Sequence, residues 1–234
     1  MRHLIVAALS AQVVLLAPAT VATAQSSRAA VQRDWTQTVV ATPEGGFRMG
    51  NPNAAVKVIE YMSLACPHCA HFAAESEASL YPNYVRTGRV SIEYRNILIN
   101  APDVAATILT RCAAPRSYVA MSRELLRTQT QWLGRMRTLT EAQNNELRSL
   151  APLSLIQRLV PVLGLDQVAA RHGMTAAAQR ACLSNQANLD RIEAMQQQAS
   201  SQYGVTGTPT FVINGQVADT NVWSGIEPLL RAGG

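Results

Sequence analysis

The sequence predicts an α/β fold in which one sheet is interrupted once by a large all-helical subdomain. Three observations carry this reading. Val56-Lys57-Val58-Ile59-Glu60-Tyr61 and Val90-Ser91-Ile92-Glu93-Tyr94 are β-branched runs of strand length, joined by a helical pattern that begins near Cys66. Thr210-Phe211-Val212-Ile213-Asn214 is a third such run, and Gly215-Gln216 turns it back into Val217-Ala218 as a hairpin. Between the second and third runs, residues 102–203 are rich in alanine, leucine, glutamine and arginine, with almost no strand signal. A stretch of about a hundred residues with helical periodicity is too long for a loop, so it reads as an insertion. The expected division is 25–101 with 204–234 for the sheet domain and 102–203 for the helical subdomain.

The elements follow in chain order. Arg2 and His3 precede a run over 4–16 that is apolar apart from Ser10 and Gln12, and Ala22-Thr23-Ala24 is a small-x-small cleavage site. A run of about 13 residues is too short for the roughly 20 of a membrane-spanning helix. Residues 1–24 are therefore expected to be a signal peptide, leaving a soluble protein outside the cytoplasm. Trp35 to Val40 alternates and predicts a short strand, with turns at 42–46 and 50–53. The helix from Cys66 is expected to reach about Thr87, before Gly88. Within the insertion, helices are expected near 102–112, 117–132, 140–149, 153–163, 166–171, 176–183 and 188–203, with Asp166 and Thr175 as caps. A last helix is expected over 222–231.

The formal charge is +5, carried almost wholly by scattered arginines, since Lys57 is the single lysine. No basic block or stripe forms, which argues against nucleic-acid binding. Four cysteines are too few for a small disulfide scaffold. In an exported chain, however, they sit where disulfides persist.

Cys66-Pro67-His68-Cys69 concentrates the chemistry. A CxxC pair can be half of a zinc site or a redox dithiol. Zinc needs two further ligands at metal-like spacing, and Cys112, Cys182 and His172 are isolated in sequence, while His71 gives a poor C-x-H pair. A strand, a short loop and CxxC at a helix start favour redox exchange, with no metal and no cofactor. Unpaired N–H groups and the helix dipole at Cys66 favour its thiolate. Pro67 loses no hydrogen bond in a first turn, and His68 brings a second donor or a positive charge beside Cys66. His71 reads as a surface residue.

Two other positions stand out. Glu60 lies in a strand otherwise suited to burial, where a carboxyl either faces the core with a raised pKa or turns to solvent at an edge. Thr208-Pro209 precedes a strand, and the residues alone leave an ordinary trans proline open.

The CPHC quartet after the strand 56–61, together with Gly50-Asn51-Pro52, Ala70-His71-Phe72 and the helical insertion, resembles the DsbA-like thiol–disulfide oxidoreductases. The resemblance extends from about residue 35 to the end and implies a thioredoxin-like fold. It implies an acid at Glu60 beneath the second cysteine, assisting its proton transfers, and a cis proline at Pro209 beside a substrate-binding Thr208. Threonine there departs from the valine of the best-known oxidases and matches related isomerases. Some members of this branch carry a second, non-catalytic disulfide, which the resemblance puts at Cys112 and Cys182; two buried free thiols are the alternative. The implied role is oxidation of newly exported cysteine-containing proteins in the periplasm, by a monomer that a quinone-linked membrane partner reoxidises.

Overall fold

A computed structural model of the chain describes residues 33–233; the signal peptide expected over 1–24 lies outside them. Six strands form one mixed sheet: β1 Val39–Ala41, β2 Phe47–Gly50, β3 Val56–Met62, β4 Val90–Asn96, β5 Thr210–Ile213 and β6 Gln216–Val217. Their spatial order is β1-β2-β4-β3-β5-β6. β3 is central, parallel to β4 and antiparallel to β5, with Glu60 opposite Tyr94 on one side and Phe211 on the other. The parallel β3–β4 pair requires a crossover. Helix α1, Pro67–Ser79, supplies it together with a π-helical segment, Leu80–Val85.

Between β4 and β5 lie eight helices: α2 Ala101–Arg111, α3 Pro115–Arg127, α4 Gln129–Gly134, α5 Glu141–Ser149, α6 Pro152–Leu163, α7 Leu165–Arg171, α8 Ala176–Leu183 and α9 Gln186–Tyr203. The thioredoxin-like core with one large helical insertion is therefore the architecture observed. A final helix, α10 Trp223–Ala232, follows the hairpin. One continuous apolar cluster runs from the sheet into the insertion, joining Val58, Met62, Phe72 and Ile92 to Ile108, Leu125, Leu159 and Leu163. A smaller cluster on the other face of the sheet packs Tyr61 and Val212 against Ala199 of α9. Among the described residues, no single helix is long and apolar enough to cross a membrane.

Several local expectations are corrected. Trp35–Gln37 is a 3-10 turn and the strand starts only at Val39, because the Asp34 carboxylate accepts hydrogen bonds from both the N–H and the hydroxyl of Thr36. β2 lies between two turns and is too short to show alternation, so the sequence pattern hides it. The helix expected to reach Thr87 leaves α geometry at Leu80. Pro82 has no N–H for an α-helical bond, and the wider π turns accommodate it. The helix expected over 117–132 breaks at Thr128 into α3 and α4. Thr175 caps α8, but Asp166 lies inside the first turn of α7, whose N-cap is Gly164. The hairpin turns on Asn214-Gly215, not Gly215-Gln216. Asn214 at φ 49° and Gly215 at φ 86° supply the left-handed pair that a two-residue turn needs.

Candidate active site

β3 ends at Met62, and Ser63-Leu64-Ala65 carries the chain to Cys66, the extended N-cap of α1, with Pro67 at the first helical position. Helix geometry then turns Cys69 inward. Both cysteines are buried and unbonded, with Cys66 at 6% and Cys69 at 0% exposure. The site is a dithiol with its second sulfur sealed in the core.

The two sulfurs have opposite electrostatics. The Cys66 pKa is lowered to about 5, chiefly because the Cys69 thiol donates to its sulfur. Burial opposes this, while the Thr208 side chain and the backbone N–H groups of Cys69 and His68 support it. Burial pushes the Cys69 thiol far up, and hydrogen bonding to Cys66 and the nearby Glu60 carboxyl add to the shift. The Ser63 N–H, 3.5 Å from the Cys69 sulfur, opposes it. One thiolate and one thiol is the stable dithiol state near neutral pH.

His68 is exposed, and what it offers Cys66 is its backbone N–H. Its imidazole makes no hydrogen bond among the described residues. His71 is also exposed and pairs with Glu75 at 3.2 Å, one turn along α1. Across the site, Thr208-Pro209 is a cis peptide, and the Cys66 sulfur lies 3.2 Å from the Thr208 carbonyl, to which it donates when protonated. Pro209 is buried and Thr208 half-buried.

Glu60 is 3% exposed and shares the core face of β3 with Val58 and Met62. Burial pushes its pKa up to about 8. It lines a cavity of about 20 Å³, room for roughly one water, with Ser76, Tyr81, Tyr94, Ser122 and Arg123. Tyr81 and Tyr94 share a hydroxyl–hydroxyl bond of 2.9 Å. A carboxyl neutral at pH 7, next to the buried sulfur, can donate or take one proton.

Cys112, at the end of α2, and Cys182, in α8, are bonded to each other, with Cα atoms 6.0 Å apart. Asn188 of α9 donates to the Cys112 sulfur at 3.2 Å and to the Cys182 carbonyl at 3.0 Å. This pair lies within the insertion and is not part of the dithiol site.

Two residues escaped the sequence reading. Asp103, fully buried at the start of α2, accepts from the Ser63 hydroxyl at 2.7 Å and the Leu64 N–H at 3.0 Å. Burial pushes its pKa up to about 6 against these hydrogen bonds. The polar positions Asp103, Thr107 and Thr110 in an otherwise apolar buried helix were the signal that could have exposed it. Gln129 donates to the carbonyls of Leu64 and Cys66 at 2.8 and 2.9 Å; nothing in its sequence surroundings marks it. Among the described residues, no group of three or more His, Cys, Asp or Glu side chains is placed to hold a metal.

The chain is similar to known proteins of the same fold. A family model described as thioredoxin matches residues 42–230. A protein-disulfide isomerase from Novosphingobium aromaticivorans is 32% identical, with a TM-score of 0.73 over 79% of this chain and 95% of that one. Wolbachia pipientis α-DsbA1 shares the fold, at 19% identity and a TM-score of 0.57 over 79% of this chain and 88% of that one. A Rickettsia bellii protein, provisionally described as a protein-disulfide oxidoreductase, is 24% identical over 74% of this chain. The chain spans 58% of that relative's length. With a family model matched over residues 42–230, a CxxC dithiol at a helix start and the Thr208-Pro209 segment facing it, the chain belongs to the thioredoxin family.

Proposed function

We propose that the protein oxidises cysteine pairs in newly exported proteins, in the periplasm, through a Cys66–Cys69 dithiol/disulfide cycle. The observation that carries this is the asymmetry of the two sulfurs: Cys66 is held as a thiolate while Cys69 is held as a thiol. A stabilised Cys66 thiolate is a good leaving group and favours the reduced enzyme, which makes the disulfide oxidising.

In the cycle, a client thiolate attacks Cys66 of the enzyme disulfide. The sulfur–sulfur bond breaks and Cys69 leaves, taking a proton from the neutral Glu60 carboxyl. A second client thiolate then attacks the client sulfur of the mixed disulfide and expels Cys66 as a thiolate. Two electrons pass from the client thiols to the enzyme. The cis Thr208-Pro209 element beside Cys66 suits pairing with an extended client backbone, largely blind to sequence. Reoxidation falls to a quinone-linked membrane partner, and the enzyme works as a monomer.

Equilibration with glutathione tests the assignment. A potential near the DsbA value of about −120 mV is expected, and one near thioredoxin's, about −270 mV, would overturn it. A second reading, isomerase or reductase, is favoured by Thr208 and by the likeness to the Novosphingobium protein-disulfide isomerase. Refolding of a scrambled disulfide substrate by a stable dimer would select that reading.

A further inference from the structure

The loop before Cys66 is held by the helical insertion. Gln129 is 6% exposed, and its amide nitrogen donates both hydrogens, to the Leu64 carbonyl at 2.8 Å and the Cys66 carbonyl at 2.9 Å. The Leu64 N–H is taken by Asp103, so both backbone groups of Leu64 are tied to the helical insertion, one from α2 and one from α4. Gln129 reaches the loop because the helix breaks at Thr128, with φ −103° and ψ 16°, and α4 sets off in a new direction from Gln129.

We propose that Gln129 is a positioning residue for thiol–disulfide exchange: its amide holds the Cys66 carbonyl and thereby keeps the first turn of α1 aimed at the reactive sulfur. Cys66 is an N-cap with no side-chain capping bond, and among the described residues its carbonyl otherwise accepts only from the Ala70 N–H, at 3.2 Å. The donors that favour its thiolate include the N–H groups of His68 and Cys69. Whether they point at the sulfur depends on the backbone torsions of Cys66 itself. Two bonds from one rigid amide fix those torsions, and small errors in such geometry are expensive. The amide also turns its positive end toward the residue that carries the thiolate. Both effects have the same sign. The helical insertion is thus part of the exchange machinery, although none of its side chains supplies a reacting atom.

The inference rests on the exchange reaction proposed above, and the test separates the two. Gln129→Met keeps the side-chain length and removes both donors. Val160→Ala in α6, in the same insertion but outside this loop, serves as a control for lost stability alone. In reduced wild type and variants, the Cys66 thiolate is titrated by its absorbance near 240 nm, and the equilibrium constant with glutathione is measured. Gln129→Met is expected to move the titration upward and to make the disulfide three- to tenfold less oxidising; tenfold corresponds to about 30 mV. Val160→Ala is expected to lower Tm and move neither. If the methionine variant does not fold, Gln129→Asn draws the amide back by one methylene, and the same shift is expected. A folded Gln129 variant that titrates with wild type and matches its equilibrium constant within twofold overturns the role of Gln129 and leaves the exchange reaction standing. A wild-type Cys66 that titrates at its ordinary value sinks both.

Discussion

The Cys66 sulfur lies 3.2 Å from the carbonyl oxygen of Thr208, a residue 142 positions further along the chain. The contact exists because β5, which starts two residues beyond Thr208, pairs directly with β3, which delivers Cys66. The Thr208 side chain adds to the stabilisation of the Cys66 thiolate. Thr208→Val keeps the β-branched shape and the carbonyl but removes that hydroxyl. The Cys66 pKa should rise by about one unit, the scale of one charge-assisted hydrogen bond in a partly screened site. A pH titration of thiolate absorbance checks this; an unchanged value would assign the effect to the backbone.

The sulfur asymmetry predicts a simple alkylation profile. In the reduced enzyme, Cys66 should react with iodoacetamide at a rate that rises through about pH 5 and is flat by neutrality, while Cys69 stays unmodified until the protein unfolds. The stability of the reduced form follows with a definite sign. The folded-state pKa of Cys66 lies below its unfolded value, so its contribution is complete above the unfolded pKa and is lost as pH falls through about 5. Denaturant midpoints of the reduced enzyme with and without Cys66→Ala, between pH 4 and pH 9, measure it.

Glu60 should behave in the opposite way. Its folded-state pKa is raised to about 8, so the unfolded chain ionises it first, and its contribution fades as pH rises from the unfolded value through about 8. Glu60→Gln, which cannot ionise, should therefore gain Tm relative to wild type progressively between pH 5 and pH 8. The same variant has no proton for the departing Cys69. Single-turnover reduction of the enzyme by a dithiol peptide at pH 7 should slow by about a hundredfold, the lower range for lost acid–base catalysis. A variant that keeps the wild-type rate would remove Glu60 from the mechanism.

The Cys112–Cys182 bond spans 70 residues of the insertion. Closing a loop of that size restricts the unfolded chain by about 4 kcal/mol in the chain-entropy model. The double variant Cys112→Ala/Cys182→Ala should lose stability up to that size in urea unfolding. Thiol counting on denatured, unreduced Cys66→Ser/Cys69→Ser protein should find no reactive thiol.

Sequence and tertiary structure divide the explanation along physical lines. Local chemistry alone determined the main strands, most helices of the insertion and the helix start at Cys66-Pro67, because apolar period, β-branching and a proline without an N–H act within a few residues. It also brought the two redox sulfurs within one helical turn of each other. Short elements bounded by turns, such as β2, and the π-helical segment around Pro82 carry too few residues for a period to register. The face of Glu60 was open in sequence, since alternation gives two faces and does not say which is covered. Only the packing of α1 and α3 over β3, whose side chains line the cavity with Glu60, makes that face interior and raises the carboxyl's pKa. Likewise Asp103, Gln129 and Thr208 lie about 40, 65 and 140 residues from the groups they hold. Gln129 holds two backbone carbonyls, which every residue has, so no residue pattern could announce it, while Asp103 and Thr208 were visible as residues but not the Ser63, Leu64 and Cys66 groups they meet. Packing of the insertion against the sheet decided where those atoms needed a donor or an acceptor.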